Sequence, residues 1–165
     1  MKKMTTTSFL NRSLLDGIRL KNFKGTYPCD VIPSITKRNI YETYIINLDE
    51  KDMPGSHWVS IAFNKEDDGS RSCFYFDSLA METVNGNILK YMMKYSDRIY
   101  QNDVKIQDDI SEYCGLFCMA FVIFADENSI NDVNKFIQLF TRNDLLTNDK
   151  IVVQYIIDEI YKNIK

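Results

Sequence analysis

The stretch HWVSIAFNKEDDGSRSCFYFDS, residues 57–78, decides how the rest of the chain is read. Trp58 to Phe63 alternates cleanly, and Cys73 to Asp77 is short and aromatic, which is the make-up of two strands with a buried face. The polar NKEDDGSRS between them, residues 64–72, predicts a hairpin with a long tip. If Ile61 pairs with Cys73, His57 at the head of the first strand lies opposite Asp77 at the foot of the second. A register slipped by two keeps the pair on one face as diagonal neighbours, whereas a slip by one separates them.

Outward from this hairpin, Tyr41 to Leu48 is rich in β-branched and aromatic residues and predicts another strand, followed by a turn over DEKDMPGS, residues 49–56. Before it, FKGTYPCDVIPS, residues 23–34, reads as an extended loop, and Thr7 to Leu20 as a weak amphipathic helix. After it, Asn87 to Arg98 carries Ile88, Tyr91, Met92 and Tyr95 at helical spacing. Tyr100 to Gln107 predicts a strand weakened by its internal Asn-Asp pair. Cys114 to Ala125 is almost wholly apolar and poor in β-branched residues, so it predicts a buried helix. Asp132 to Phe140 and Asn148 to Ile164 predict two amphipathic helices, the second with Ile151, Tyr155, Ile156, Ile160 and Ile164 on one face. Mid-chain strands flanked by segregated helices make an α+β fold, expected as one domain over residues 1–165.

Composition narrows the function. With 45% hydrophobic and 13% aromatic residues the chain can bury one core. Twenty Lys and Arg against 23 Asp and Glu give a net charge of −3, so strong DNA binding is not expected. No apolar run near the N-terminus suits a secretory signal, and Leu116 to Ala125 falls short of the roughly 20 residues needed to cross a bilayer. A soluble, non-secreted protein without membrane contact is expected. Its four cysteines then default to reduced thiols.

His57 is the only histidine, so any Cys–His or Ser–His chemistry must pass through it. A carboxylate on one imidazole nitrogen fixes the tautomer and stabilises the imidazolium formed when the other takes a proton. Asp77 is placed for this role, or else caps the turn at Ser78. Cys114 falls in the first turn of the buried helix, where unpaired N–H groups and the dipole favour negative charge. Its plainer alternative is a core thiol. Gly115 beside it would let a substrate backbone approach closely. Cys118, one turn on, Cys73 in a strand and Cys29 in a loop default to packing. A lone histidine and no CxxC spacing argue against a metal site, and no cofactor is expected.

Taken together, HWVSIAF, CFYFDS and the segment from Gln107 through CGLFC resemble the adenovirus-type maturation cysteine proteases. These include enzymes of virophages and Maverick-type elements, in a wider clan with the SUMO-deconjugating proteases. Gln107 precedes Cys114 by seven positions, as in the adenovirus pattern, and FKGTYPCDVIP resembles the family's loop beside the cleft. The resemblance runs from about Phe23 to Ala125. It implies a papain-like fold with a central mixed sheet flanked by helices and the nucleophile at the start of a buried one. It further implies Cys114 as nucleophile, His57 as base, Asp77 as its orienting acid and Gln107 as an oxyanion donor. Trp58, Gly115 and Asp30 would lie on the substrate side.

The implied activity is a viral endopeptidase that cuts capsid precursors after small residues, often glycine, in the virion or infected cell. Its partners would be these precursors, as substrates, and a monomer is expected. A SUMO or ubiquitin-like deconjugase, or an inactive binding module of the same fold, are the alternatives. Adenovirus enzymes are activated by a peptide disulfide-bonded to a cysteine between the acidic residue and the Gln, and by DNA. Residues 82–106 contain no Cys, so that linkage has no counterpart here.

Overall fold

A computed structural model describes residues 18–49 and 57–164 of the chain. The expected hairpin forms from β3 (Trp58–Lys65) and β4 (Arg71–Phe76), antiparallel. Its register differs from the simple expectation: Ile61 pairs with Tyr75, and Cys73 pairs with Phe63. The reason lies at the tip. Lys65 still pairs with Arg71, and residues 66–70 close tightly, with the Glu66 N–H donating to the Ser70 carbonyl (2.8 Å) and Gly69 at φ +85°. A left-handed residue there suits glycine. The shift is by two, so His57 and Asp77 remain diagonal neighbours rather than direct opposites.

β2 (Glu42–Asn47) pairs antiparallel with β3, as its β-branched and aromatic composition suggests. The segment read as an extended loop is in its first half a strand, β1 (Phe23–Pro28), parallel to β2. Local sequence does not announce it because the pairing partner is distant and the ladder is irregular between Phe23 and Thr26. Gly25 sits in that irregularity at φ +134°, where a Cβ would meet the Tyr27 ring at 3.1–3.2 Å. A short 3-10 turn, Ile32–Ser34, follows.

β5 (Arg98–Gln101) runs parallel to β4, earlier and shorter than the expected Tyr100 to Gln107 strand. It stops where the Asn102 side chain, rather than its backbone, takes over the pairing with Asp77. The sheet order is β1-β2-β3-β4-β5, a mixed sheet.

Alternation along the strands sends their side chains to two layers. Tyr44, Ile46, Val59, Ile61, Phe63, Cys73 and Tyr75 meet α1 (Gly86–Tyr95) through Ile88, Tyr91 and Met92. α1 starts at Asn85, whose side chain caps the Asn87 and Ile88 N–H groups, and ends three residues before the expected Arg98, which joins β5 instead. On the other face Ile45, Trp58, Ala62, Phe74 and Phe76 carry the buried helix α2 (Cys114–Glu127). Small residues, Ser60, Ala62 and Ser72, are buried in the strands on this side and let the helix approach. Phe121 stacks on Phe76 at 4.7 Å.

Phe136 of α3 (Val133–Ile137) closes that layer against Phe76, Phe121, Phe124 and Phe140. α3 is shorter than the expected Asp132 to Phe140 helix at both ends: Asp132 belongs to a 3-10 turn, Ile130–Asp132, and past Ile137 the Leu139 and Phe140 N–H groups donate to the Phe136 and Ile137 carbonyls, three residues back (3.1 and 3.2 Å). α4 (Thr147–Ile164) buries Val152 and Ile156. The expected Thr7 to Leu20 helix, except for irregular Ile18 to Leu20, and most of the turn at residues 49–56 lie outside the described residues. Among the described residues no helix is long and apolar enough to cross a membrane, and no cluster of side chains suits a metal ion.

Candidate active site

Strand direction gathers the site at one end of the sheet. β3 begins there, and β2 and β4 end there, because both are antiparallel to it. β1 and β5 end there too, each being parallel to its neighbour. His57 therefore emerges just ahead of Trp58, beside Asp77, which follows Phe76. The His57 carbonyl accepts from the Leu48 N–H at 3.0 Å, anchoring the residue to the end of β2.

His57 Nε2 lies 2.7 Å from Asp77 Oδ1. That carboxylate is 2% exposed as a residue and is held by more than the ring: the Leu79 N–H donates to Oδ1 (2.9 Å) and the Met81 N–H to Oδ2 (3.3 Å). Ala80, between them, takes a left-handed φ of 49° to allow this wrap. Behind Asp77, its own N–H donates to Asn102 Oδ1 (2.9 Å) while Asn102 Nδ2 donates to its carbonyl (2.7 Å). The backbone of Asp77 is thus clamped as if the β4–β5 ladder continued.

With Nε2 on Asp77, Nδ1 is the nitrogen left for Cys114, whose sulfur interacts with the ring. Burial pushes the His57 pKa down. The bonds to Asp77 and Cys114 and the charges of both more than offset it, and the pKa is raised to about 9. The ring therefore keeps its proton at neutral pH.

Cys114 is the first residue of α2 and 7% exposed. Tyr113, its N-cap, makes no side-chain cap, and no acidic residue occupies the first turn. The positive end of the helix is thus left without a side-chain cap at Cys114. Gly115 beside it is buried. Cys118 is fully buried one turn on, and burial, followed by the nearby Cys114, raises its pKa well above the ordinary thiol value. Burial likewise raises Cys73. Cys29 is buried with its Sγ on the Leu48 carbonyl at 3.1 Å.

Gln107 is buried at the start of the loop that leads into α2, its Nε2 donating to the Ser111 carbonyl at 2.9 Å and its Oε1 accepting from Ser78 Oγ. α4 braces the same loop. Asn148, fully buried, donates to the carbonyls of Ile106 and Thr141 (2.8 Å each), and Asp149 accepts from Ser111 Oγ at 2.8 Å. Trp58 is 4% exposed and packs in the core layer beneath α2 with Cys114, so it has little face to turn toward a groove. Asp30 lies in an exposed turn just after β1, at this same end of the sheet.

Sequence reading missed Ser78, Asn102 and Asn148 as supports. The sequence marks Asn102 only as a strand breaker and Asn148 only as a helix start. A carboxamide interrupting a predicted strand is the available signal for Asn102. The partners of the other two lie 29 and 42 residues away.

A mixed sheet between helical layers, with thiol, imidazole and carboxylate brought to one end of it, is the papain-like form of the α+β class. The chain belongs to the adenovirus endoprotease family, whose sequence profile matches residues 23–163. A protease of ovine adenovirus D serotype 7 is 26% identical over 125 residues, covering 67% of this chain and 60% of that protein. One of bovine adenovirus 7 is 29% identical over 115 residues, covering 61% and 54%. The chain thus spans between half and two thirds of the length of the curated relatives it matches. A protease of ASFV with a known crystal structure is similar at a TM-score of 0.46 and 16% identity, over 78% of this chain and 60% of that one.

Proposed function

We propose that this chain is a viral cysteine endopeptidase that cuts virion precursor proteins after glycine or another small residue. The observation that carries this reading is the single histidine held between a buried carboxylate at 2.7 Å and the thiol of a cysteine at a helix start. A protonated imidazole beside the sulfur supports Cys114 as the nucleophile.

In this mechanism the Cys114 sulfur adds to the carbonyl carbon of the scissile bond, and the carbonyl oxygen takes up the negative charge. This reading assigns it two donors: the backbone N–H of Cys114 at the helix start and the N–H of Gln107 Nε2 that Ser111 does not use. His57 then gives its proton to the leaving amine nitrogen, the C–N bond breaks, and a thioester to Cys114 remains. Water attacks the thioester while His57 takes its proton, and collapse of that adduct expels the Cys114 sulfur, releases the acid and leaves the His57 imidazolium as at the start. Asp77 keeps Nε2–H pointed at itself, so Nδ1 serves both transfers.

Preference for small residues rests on the tight approach that Cys114 and Gly115 require at the start of a buried helix, with an extended substrate bound by main-chain hydrogen bonds. The test is to incubate the purified chain with the capsid precursors of its virus and sequence the new N-termini, beside a Cys114→Ala control. New termini that follow glycine, present only with the intact thiol, are expected. Cuts after bulky or charged residues would remove the small-residue specificity. Release of SUMO or ubiquitin without precursor cleavage would move the chain to the deconjugase branch.

A further inference from the structure

We propose that Ser78 is a positioning residue for the Gln107 amide, so that the dipeptide Asp77-Ser78 joins the base-orienting arm of the site to its oxyanion-binding arm. This rests on the reading of Gln107 as an oxyanion donor.

Ser78 is fully buried, and its hydroxyl reaches 29 residues along the chain to Gln107 Oε1, at 2.5 Å, instead of capping its own turn. Its carbonyl accepts from the N–H groups of Ile106 (3.0 Å) and Gln107 (3.1 Å), so the backbone of the amide-bearing residue hangs from the same serine. The chemistry of the partners sets which end of the amide is which. The Ser111 carbonyl, 2.9 Å away, can only accept, so nitrogen must lie on that side. Oxygen then faces Ser78, whose hydroxyl must be the donor.

Two consequences follow for the remaining N–H. It is held in one direction, because both ends of the planar amide are tied. It is also a stronger donor, since a hydrogen bond accepted at the amide oxygen polarises the group toward its nitrogen. On the other side of the dipeptide bond, Asp77 holds His57 at 2.7 Å. The two arms thus spring from adjacent residues whose side chains are both buried, so one peptide unit and two short side chains set the spacing between base and oxyanion donor.

The experiment compares wild type with Ser78→Ala, Gln107→Ala and the double variant. Hydrolysis is followed with an internally quenched peptide carrying glycine before the scissile bond, and alkylation of Cys114 by iodoacetamide is measured in parallel. Alkylation at a saturated carbon develops no oxyanion, so it reports the thiolate and the intact fold without Gln107. Ser78→Ala is expected to lower kcat about 10- to 100-fold, a fraction of what losing an oxyanion donor outright removes. KM should stay nearly constant, the alkylation rate should match wild type, and the loss should vanish in the Gln107→Ala background.

Wild-type kcat in Ser78→Ala overturns the proposal, as does an equal loss with and without Gln107. A parallel fall in alkylation overturns it too, by showing that the serine acts on the fold or the thiolate. If the wild type itself neither hydrolyses peptide nor is alkylated at Cys114, the protease reading fails, and this inference fails with it.

Discussion

Replacing Asp77 with asparagine isolates the charge that holds the His57 proton. Asparagine can keep the contacts of Oδ1, accepting from His57 Nε2 (2.7 Å) and the Leu79 N–H (2.9 Å). It gives up only the long bond from the Met81 N–H at 3.3 Å, so the loop should hold. In the intact protein burial lowers the ring's pKa, yet the interactions with Asp77 and Cys114 carry it from 6.5 to about 9, worth about 3 kcal/mol in favour of the imidazolium. The side chain of His57 is 13% exposed, so solvent screens little of this.

The leaving amine needs that proton, so kcat/KM for peptide hydrolysis should be level through neutral pH and fall as pH rises through about 9. In Asp77→Asn the depressing effect of burial persists while the carboxylate's charge is gone. The alkaline limb should then move down by at least about one pH unit, about tenfold in rate at a fixed pH on that limb. Full pH profiles of both proteins, with thermal unfolding as the check on folding, measure this. An alkaline limb that stays in place in the variant would refute the argument that Asp77 holds the proton.

Cys114→Ala should abolish cleavage, whereas Cys118→Ala, at a fully buried thiol, should stay active, and peptide mapping after iodoacetamide should find label on Cys114 alone. Gln107→Ala should raise the barrier by about 2.7–4 kcal/mol, the usual loss for one oxyanion donor, measured as kcat on the quenched peptide. Asn148→Ala strips hydrogen bonds from the buried Ile106 carbonyl and from Thr141. Denaturant unfolding should show a loss of about 1–3 kcal/mol for each group left unpaired. The stability that His57 contributes should be fully present below pH 6.5 and lost as pH rises through about 9, because its pKa is raised on folding. Unfolding curves of wild type and His57→Ala should therefore converge toward alkaline pH.

The sequence by itself carried the elements whose signal is local. Trp58 to Phe63 and Cys73 to Asp77 alternate in the period of a strand, and the apolar run from Cys114 could bury itself only as a helix longer than most strands. A unique histidine next to one strand and an aspartate ending its neighbour brought His57 and Asp77 together under any even register, which is why a hairpin two residues out of the expected register still joins them.

Tertiary structure alone decided what depends on partners far along the chain. β1 is a strand only because β2 lies parallel beside it, and its glycine-containing sequence reads as loop until that partner is in place. Asn102 ends β5 yet prolongs the pairing through its side chain, a double role with no periodicity to reveal it. Ser78 and Asn148 find Gln107 and Ile106 only after the sheet and α4 have packed. Backbone periodicity is written in neighbouring residues, whereas the direction of a single buried hydroxyl or carboxamide is set by whichever unpaired group folding places beside it.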